Sequence, residues 1–234
     1  MSTVIPPNRL PSVIPPLEPG DCLSRDEFER RYEAMPHLKK AELIEGVVYT
    51  PAAVRAFNHG RPQQVIATLL GTYDSATPGT LSFDNTSVRL DLDNMPQPDQ
   101  VLLILPECGG QSKLSNDDYI EQAPELACEI SSSSVSFDLH TKLQVYRRSG
   151  VREYLVWRVR DQQIDWFSLL GNDYVKMSPD AAGLLKSQVF PGLWLRPAEL
   201  IKFAMKKALR TLDQGLASAE HAAFVKQLNF PAEE

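Results

Sequence analysis

The sequence has few cysteines and no long apolar run, and both scarcities exclude classes of protein. Its three cysteines, Cys22, Cys108 and Cys128, are far apart and form no CxxC pair, so neither a disulfide framework nor a zinc site is indicated. No stretch reaches the roughly 20 apolar residues that a membrane helix needs. The first residues, MSTVIPPNRLPSVIPP, lack the basic and apolar regions of a secretory signal. We therefore expect a cytoplasmic protein that is not embedded in a membrane.

Positive charge is also scarce, because 24 lysines and arginines stand against 30 acids and give a formal net charge of −6. Affinity for a polyanion comes mainly from basic side chains that neutralise phosphates. Binding to nucleic acid would therefore have to be local, small or assisted by a metal. One basic cluster is long enough to guide a polyanion, although such a run is usually a solvated helix face. It consists of Lys202, Lys206, Lys207 and Arg210.

The length of 234 residues and the hydrophobic content of 43% predict one globular domain with extensions. We predict a proline-rich arm over residues 1–23, a main domain over 24–196 and a helical extension over 197–234. Six prolines in the first 20 residues favour an extended chain. From the residues alone, this arm is either a disordered tail or a strap that crosses onto a partner subunit.

Capping signals and apolar periodicity predict an α/β arrangement. Helices are expected to begin at Ser24, in a capping box with Glu27, and at His59, to end at Gly150, and to cover 197–212 and 218–228. Strands are expected as a hairpin over 41–53, three short pieces between Thr80 and Ile104 (80–83, 86–92 and 99–105), a central strand over 124–131, and hairpins that turn at 160–161 and 171–172. Residues 106–123 read as a polar loop. Together these elements predict a mixed sheet of about five to seven strands between helices.

Two carboxylates stand out at the edges of predicted strands. Asp99 precedes the apolar run VLLIL, and Glu129 lies on the strand face opposite Leu126, Cys128 and Ile130. An acid on a buried strand face is costly unless it is paired or bound to a metal, whereas Pro-Asp alone is ordinary turn chemistry. Mg²⁺ takes oxygen ligands, often from one or two carboxylates. The pair is therefore a candidate site for Mg²⁺, with Mn²⁺ as a substitute.

Lys142 is predicted to lie on the helix that follows the central strand. It stands four residues after Asp138, so the two share a helix face, and its long stem could reach back toward the strand ends. A positive charge there would stabilise a phosphorane or assist the attacking water. Asp138 could pair with Lys142, Arg147 or His140, and we interpret it as support for the site.

Several motifs taken together resemble the PD-(D/E)xK superfamily of restriction-endonuclease-like nucleases, and within it the bacterial Uma-two family, whose members are described as putative endonucleases. The motifs are AELIEGVVY at 41–49, His59, PQPD at 96–99, PELACEISSSS at 124–134, DLHTK at 138–142, YRRSGVREYLVW at 146–157 and FPGLW at 190–194. The resemblance implies a mixed sheet flanked by helices. It also implies a Mg²⁺-dependent endonuclease that hydrolyses DNA, with metal on Asp99 and Glu129.

The resemblance implies further site residues. Glu42 or Glu45 would approach the metal as a third carboxylate, although a solvated strand acid is an equally good interpretation. His59 would orient water or phosphate, although by pattern alone it is a residue at a helix start. The commonest form of the superfamily has its lysine two residues after the glutamate, where this chain has Ser131, so Lys142 would take over that role. Ser131 itself suits a turn or a helix cap.

Two other functions stay open at this stage. One is a non-catalytic module that binds nucleic acid or protein on the same fold, and the other is a metal-dependent phosphodiesterase that acts on RNA. The presence of two like-charged carboxylates side by side favours catalysis, whereas the net negative charge of the chain favours the non-catalytic binding module. Trp157 and Trp166 could stack bases, but cross-strand packing is the better prediction. A homodimer is expected by analogy, since two sites related by a twofold axis cut two strands most simply.

Overall fold

A computed structural model describes residues 14–50 and 55–230 of the protein. Its strands are β1 (Glu42–Ile44), β2 (Val47–Tyr49), β3 (Thr80–Asp84), β4 (Val88–Arg89), β5 (Gln100–Ile104), β6 (Lys113–Leu114), β7 (Ile120–Glu121), β8 (Leu126–Ser131), β9 (Glu153–Arg158), β10 (Gln163–Leu170), β11 (Asp173–Lys176), β12 (Leu185–Lys186) and β13 (Trp194–Leu195). Its helices are α1 (Arg25–Glu33), α2 (Arg61–Ser75), α3 (Val135–Phe137), α4 (Leu143–Ser149), α5 (Pro197–Ile201), α6 (Met205–Leu216) and α7 (Ala219–Leu228). Single π-helical turns, Ala56–Gly60 and Asp138–Lys142, lead into α2 and join α3 to α4.

The architecture is organised around a six-stranded mixed sheet in the order β11-β10-β9-β8-β5-β3. β8 and β9 are parallel, and the other neighbouring pairs are antiparallel. A parallel pair needs a crossover connection, and α3, the second π-helical turn and α4 provide it. The sheet agrees with the prediction of a mixed sheet of five to seven strands.

The central strands β5 and β8 are buried along their whole length, as expected for strands covered on both faces. Leu126, Cys128 and Ile130 face the main core, whereas Ala127 faces a second core. This alternation confirms the predicted faces of β8. Glu129 lies on the same face of β8 as Ala127 and therefore points away from the main core.

Helices cover the main core on one side of the sheet. Pro62 stands in the first turn of α2, where a missing N–H costs nothing, and the apolar positions of that helix face the strands. The C-terminal helices contribute to the same core rather than to one of their own. Their buried core residues are Leu200, Ala208, Leu212, Phe224 and Leu228.

The described end of the proline-rich arm, residues 14–23, runs beside the β1–β2 hairpin. Leu17 packs in a small core with Phe28 and Val48, and the backbone of Cys22 forms a bridge with Val47. Residues 1–13 and 51–54 lie outside the described residues, and with them most of the predicted arm and the end of the predicted hairpin. The partner-crossing alternative for the arm stays a prediction.

Several sequence predictions about elements are wrong in detail near the first helix and the strands. Ser24 makes no side-chain capping bond, and the carboxylate of Glu27, expected to complete the capping box, pairs with Arg30 and Arg31. The strand expected over 86–92 shrinks to β4, since the chain turns at Asp91, whose carboxylate accepts from Asn94. Part of the polar segment 106–123 is not loop. It supplies β6 and β7, which join β4 in a three-stranded sheet.

The helices also differ from their predicted bounds. The helix expected to begin at His59 is preceded by a π-helical turn that begins at Ala56. The helix expected over 197–212 is two helices, α5 and α6, because Phe203 takes a left-handed conformation with φ of 52°. The second C-terminal helix agrees with its prediction, since the Ser218 hydroxyl caps α7 by accepting from the amide of His221.

The two tryptophans considered for base stacking are buried. Trp157 and Trp166 are 1% and 0% exposed, so packing rather than base stacking is their use, and Trp157 stacks against Phe203. Within residues 14–50 and 55–230, no helix combines the length and the hydropathy needed to cross a membrane.

Candidate active site

Strand pairing brings the two predicted metal ligands together. β5 and β8 are antiparallel, and their pairing ends with Gln100 opposite Cys128. Asp99 directly precedes Gln100 and Glu129 directly follows Cys128, and the Asp99 carboxylate accepts from the amide of Ile130. Both side chains are almost fully buried and line the same cavity. The sequence separation of 30 residues thus closes to a neighbouring pair.

Glu129 is held by the crossover helix. Its Oε1 accepts from Lys142 Nζ at 2.8 Å and from the Tyr146 hydroxyl at 2.9 Å. Burial raises the pKa of Glu129 to about 8, against the attraction of Lys142 and with the help of the negative charge of Asp99. Burial thus favours the protonated form of Glu129 near neutral pH despite its contact with Lys142.

Lys142 connects two carboxylates. Its ammonium donates to Glu42 Oε1 at 2.7 Å as well as to Glu129. Burial alone would lower the pKa of Lys142, but the charges of Glu129 and Glu42 outweigh it and raise the pKa above its usual range. These contacts favour the protonated form of Lys142, which fits the stabilisation of negative charge.

Asp99 has cationic partners of its own. Its Oδ1 accepts from Lys40 Nζ at 3.1 Å, and its Oδ2 accepts from the amide of Ile130 at 2.7 Å and lies 3.3 Å from His59 Nε2. Burial works to raise the pKa of Asp99, but the hydrogen bond from His59 and the charge of Lys40 prevail and hold it below its usual range. Asp99 is therefore ionised.

The two alternative glutamates of the first hairpin occupy different places. Glu42 is buried, lines the cavity and accepts from the amide of Gln97 at 2.7 Å in addition to Lys142. Glu45 does not line the cavity. It stands in the turn after β1 with φ of 54°, and its exposed carboxylate pairs with Arg148 on the outside. The turn thus directs Glu45 to solvent, and only Glu42 has the position of a third carboxylate.

The remaining predicted residues lie around this group. Asp138 lines the cavity and accepts from the Ser134 hydroxyl at 2.6 Å, and burial raises its pKa despite the charge of Lys142. Ser131 is fully buried at the end of β8, with its hydroxyl 3.4 Å from that of Ser134. Asp138, Lys142 and His59 all stand in π-helical turns, a form often found at functional sites.

The cavity has a volume of about 710 Å³, within the range of small-molecule sites. Sequence reasoning missed several side chains that line or support it, namely Lys40, Tyr146, Asn85, Lys39, Arg55 and Arg160. Two of them had a signal in the sequence. Lys40 precedes Glu42 by two residues, as on one face of an extended chain, and Tyr146 follows Lys142 by four, as on one helix face. Arg55 and Arg160 had none, because only the fold brings their loops to the cavity.

The buried carboxylates of the cavity fit a divalent cation by their chemistry. Four acids line the cavity and are buried, namely Glu42, Asp99, Glu129 and Asp138. Of the five basic side chains that also line it, Lys40 and Lys142 contact these acids, whereas Lys39, Arg55 and Arg160 are exposed. Carboxylate oxygens are the ligands that Mg²⁺ prefers. Among the described residues, no three His, Cys, Asp or Glu side chains are already gathered in metal-binding geometry. Asp99 and Glu129 are the pair that could hold the ion, and Glu42, which shares Lys142 with Glu129, is the candidate for a third ligand.

Comparison with solved structures identifies the class of fold. The structure is similar to the crystal structure of a putative nuclease belonging to DUF820 from Anabaena variabilis, with a TM-score of 0.55 and 14% sequence identity. The similarity covers 74% of this chain and 97% of that one. The protein therefore has the restriction-endonuclease-like α/β fold, as predicted.

The sequence family is equally clear. The Uma2 family model, described as "Putative restriction endonuclease", matches residues 25–198. The chain belongs to the Uma2 family, which confirms the resemblance drawn from its motifs. No curated protein matches the chain. The family and the fold support a nuclease as the class of activity.

Proposed function

We propose that the protein is a Mg²⁺-dependent endonuclease that hydrolyses phosphodiester bonds in DNA at this cavity. The observation that carries the proposal is that Asp99, directly before β5, and Glu129, on β8, line one cavity, with Lys142 donating to Glu129. A group of buried, like-charged carboxylates destabilises a fold, so its presence indicates a functional requirement. Family membership supports the class of reaction.

Asp99 and Glu129 would hold Mg²⁺ or Mn²⁺, with Glu42 as the third carboxylate. Bound there, the ion would acidify a water and stabilise charge on the phosphoryl group. Lys142 keeps its proton, so its contribution is a fixed positive charge next to the developing negative charge. Lys40 holds Asp99 ionised and oriented.

His59 is placed to position water or a phosphate oxygen. Its Nε2 faces Asp99, and its Nδ1 is buried without a hydrogen-bond partner among the described residues. Arg55, Arg160 and Lys39 line the cavity on exposed positions, where they can bind phosphates on either side of the cleaved bond. This local basic group reconciles a chain of net charge −6 with a polyanionic substrate.

The test is nicking of supercoiled plasmid by the full chain with Mg²⁺ or Mn²⁺ and with EDTA. Asp99→Asn, Glu129→Gln and Lys142→Met each keep the side-chain size, and each is expected to lower the nicking rate at least 100-fold, as loss of an electrostatic group in an active site does. Circular dichroism and thermal unfolding of each variant check that the fold is retained.

Glu42 and Glu45 form a matched pair for the same assay. Both are glutamates of the first hairpin, but only Glu42 lines the cavity. We expect Glu42→Gln to lower nicking strongly and Glu45→Gln to leave it unchanged. Metal-dependent nicking that survives Asp99→Asn and Glu129→Gln would overturn the proposed site. Cleavage of RNA but not of plasmid would keep the site and replace DNA as the substrate.

A homodimer is part of the same proposal, since double-strand cleavage needs two sites or two events. Sedimentation of the full chain with and without DNA tests it. A protein that is monomeric and only nicks DNA would refute the proposed homodimer and leave the proposed cleavage chemistry unaffected.

A further inference from the structure

An aromatic pair forms one wall of the cavity that holds the carboxylates. Tyr49 ends β2 and Phe137 ends α3, and their ring centroids lie 4.5 Å apart at an interplanar angle of 41°. Both rings line the cavity, and Tyr49 is 36% exposed. The large aromatic rings of the cores are closed off from solvent, whereas this pair remains open to the cavity. It is therefore available to a ligand.

The pair lies next to the reacting groups. Lys142 Nζ is 6.0 Å from the centroid of the Phe137 ring, and the same ammonium donates to Glu129 and Glu42. A ligand that places a phosphate at Lys142 would therefore bring its neighbouring group onto Phe137 and Tyr49. In a nucleic acid that neighbouring group is a sugar with its base.

Charge and shape favour a nucleotide as the occupant. Arg55, Arg160 and Lys39 supply positive charge on the cavity wall for phosphates, and the aromatic rings supply a face for a base. Bases stack on aromatic side chains without regard to sequence, because every base has a π-face. The volume of about 710 Å³ accommodates a nucleotide.

We propose that Tyr49 and Phe137 stack an unpaired nucleobase adjacent to the cleaved phosphate, so that the preferred substrate is single-stranded DNA or a duplex with an unpaired base. In a regular duplex, both faces of each base are covered by its neighbours, and a base reaches a pocket only when it is unstacked. The inference rests on the proposed function and adds the class of substrate to it.

The test measures stacking directly and needs no cleavage. A single-stranded 12-mer with 2-aminopurine at its centre is titrated with the full chain, in Ca²⁺, which also takes oxygen ligands and balances the carboxylates. The fluorescence of 2-aminopurine falls when it stacks on an aromatic ring. We expect a fall with the single strand and with a duplex that bears the base in a bulge, and none with the fully paired duplex.

Variants separate the aromatic pair from other aromatic surfaces. Tyr49→Leu and Phe137→Leu are each expected to weaken single-strand binding about 10-fold, as loss of a base–aromatic stack does, and to abolish the fall in fluorescence. Tyr49→Phe keeps the ring and is expected to keep both. Phe57→Leu is the matched control, because Phe57 is 77% exposed but does not line the cavity.

Three outcomes overturn the inference. They are an equal response to the paired duplex, an unchanged response in Tyr49→Leu and Phe137→Leu when both are folded, and loss of the response in Phe57→Leu instead. Plasmid nicking is scored separately. Cleavage of the single-stranded 12-mer with Mg²⁺ is scored beside it. Metal-dependent cleavage of either DNA without the 2-aminopurine response refutes the stacking and leaves the nuclease standing, whereas the response without cleavage of either DNA supports the stacking and refutes the nuclease.

Discussion

Replacement of Lys142 by methionine tests how the buried charges of the cavity are balanced. The ammonium donates to Glu42 at 2.7 Å and to Glu129 at 2.8 Å, and only 4% of the lysine side chain is exposed. Methionine preserves the apolar stem but leaves both carboxylates without their shared cation. Removal of one partner of a buried ion pair costs about 3–5 kcal/mol. We expect the free energy of unfolding to fall by that amount near neutral pH.

The loss should depend on pH in a defined direction. Burial raises the pKa of Glu129 to about 8 in wild type although Lys142 opposes the rise, so without Lys142 the folded variant should hold this proton to a still higher pH. Where wild type has lost the proton and the variant keeps it, the folded variant binds more protons, so its stability falls more steeply as pH rises. The difference between wild type and Lys142→Met should therefore grow as pH rises through about 8.

Urea unfolding of both proteins across this pH range measures the difference. Lys113→Met is the matched control, because Lys113 pairs with Glu121 at 3.1 Å but is 58% exposed, and an exposed pair is worth less than about 1 kcal/mol. Glu42→Gln with Glu129→Gln in the Lys142→Met background should recover most of the loss. A loss below about 1 kcal/mol, or one that does not change with pH, would refute the charge balance described here.

Three further predictions concern other parts of the molecule. Burial raises the pKa of Glu153 to about 7 despite its hydrogen bonds, so the folded state keeps a proton that the unfolded chain loses. The stability of Glu153→Gln relative to wild type should therefore rise by about 3 kcal/mol as pH rises from 4.5 to 7. A difference in urea unfolding that stays constant with pH would contradict this. Gly192 has φ of 92°, and a Cβ there would lie 2.8 Å from a neighbouring side chain, whereas Gly171 has φ of 62° and open space around it. Gly171→Ala should cost roughly 1–2 kcal/mol of unfolding free energy for its backbone conformation, and Gly192→Ala should cost more because it also clashes. Equal losses would exclude the clash as a contribution. Arg160→Ala should reduce the slope of log affinity for single-stranded DNA against log salt concentration by about 0.7, whereas Lys207→Ala, outside the cavity, should leave that slope unchanged. The reverse result would indicate that single-stranded DNA binds to α6 and not at the cavity.

The sequence supported the central part of the fold because the signals there are local. Alternation along β8 separated the core face with Leu126 from the face with Glu129, and the continuous apolar run of β5 indicated a strand covered on both sides. Gly150 and Ser218 ended or began helices by local backbone and hydroxyl chemistry, and their positions agree with the structure. These features need no knowledge of distant residues.

Predictions failed where a distant contact decides the local structure. β4 pairs with β7 across 32 residues, at Val88 and Ile120. The sequence predicted a strand around Val88, although a longer one over 86–92, but it gave no sign of the partner strand within the polar segment 106–123. The break at Phe203 divides the predicted C-terminal helix, although its residues favour a helix throughout. Glu42 and Glu45 look alike in sequence, and the turn after β1 sends one into the cavity and the other to solvent.

The sequence by itself determined which residues could supply the chemistry, since the motifs around Asp99, Glu129 and Lys142 are specific when taken together. Only the tertiary structure decided how those charges compensate one another. Pairing of β5 with β8 closes the carboxylates together, the crossover helix directs Lys142 between two of them, and the loops add Arg55 and Arg160 to the wall. Electrostatic energy depends on distance and burial, and neither is a property of sequence separation.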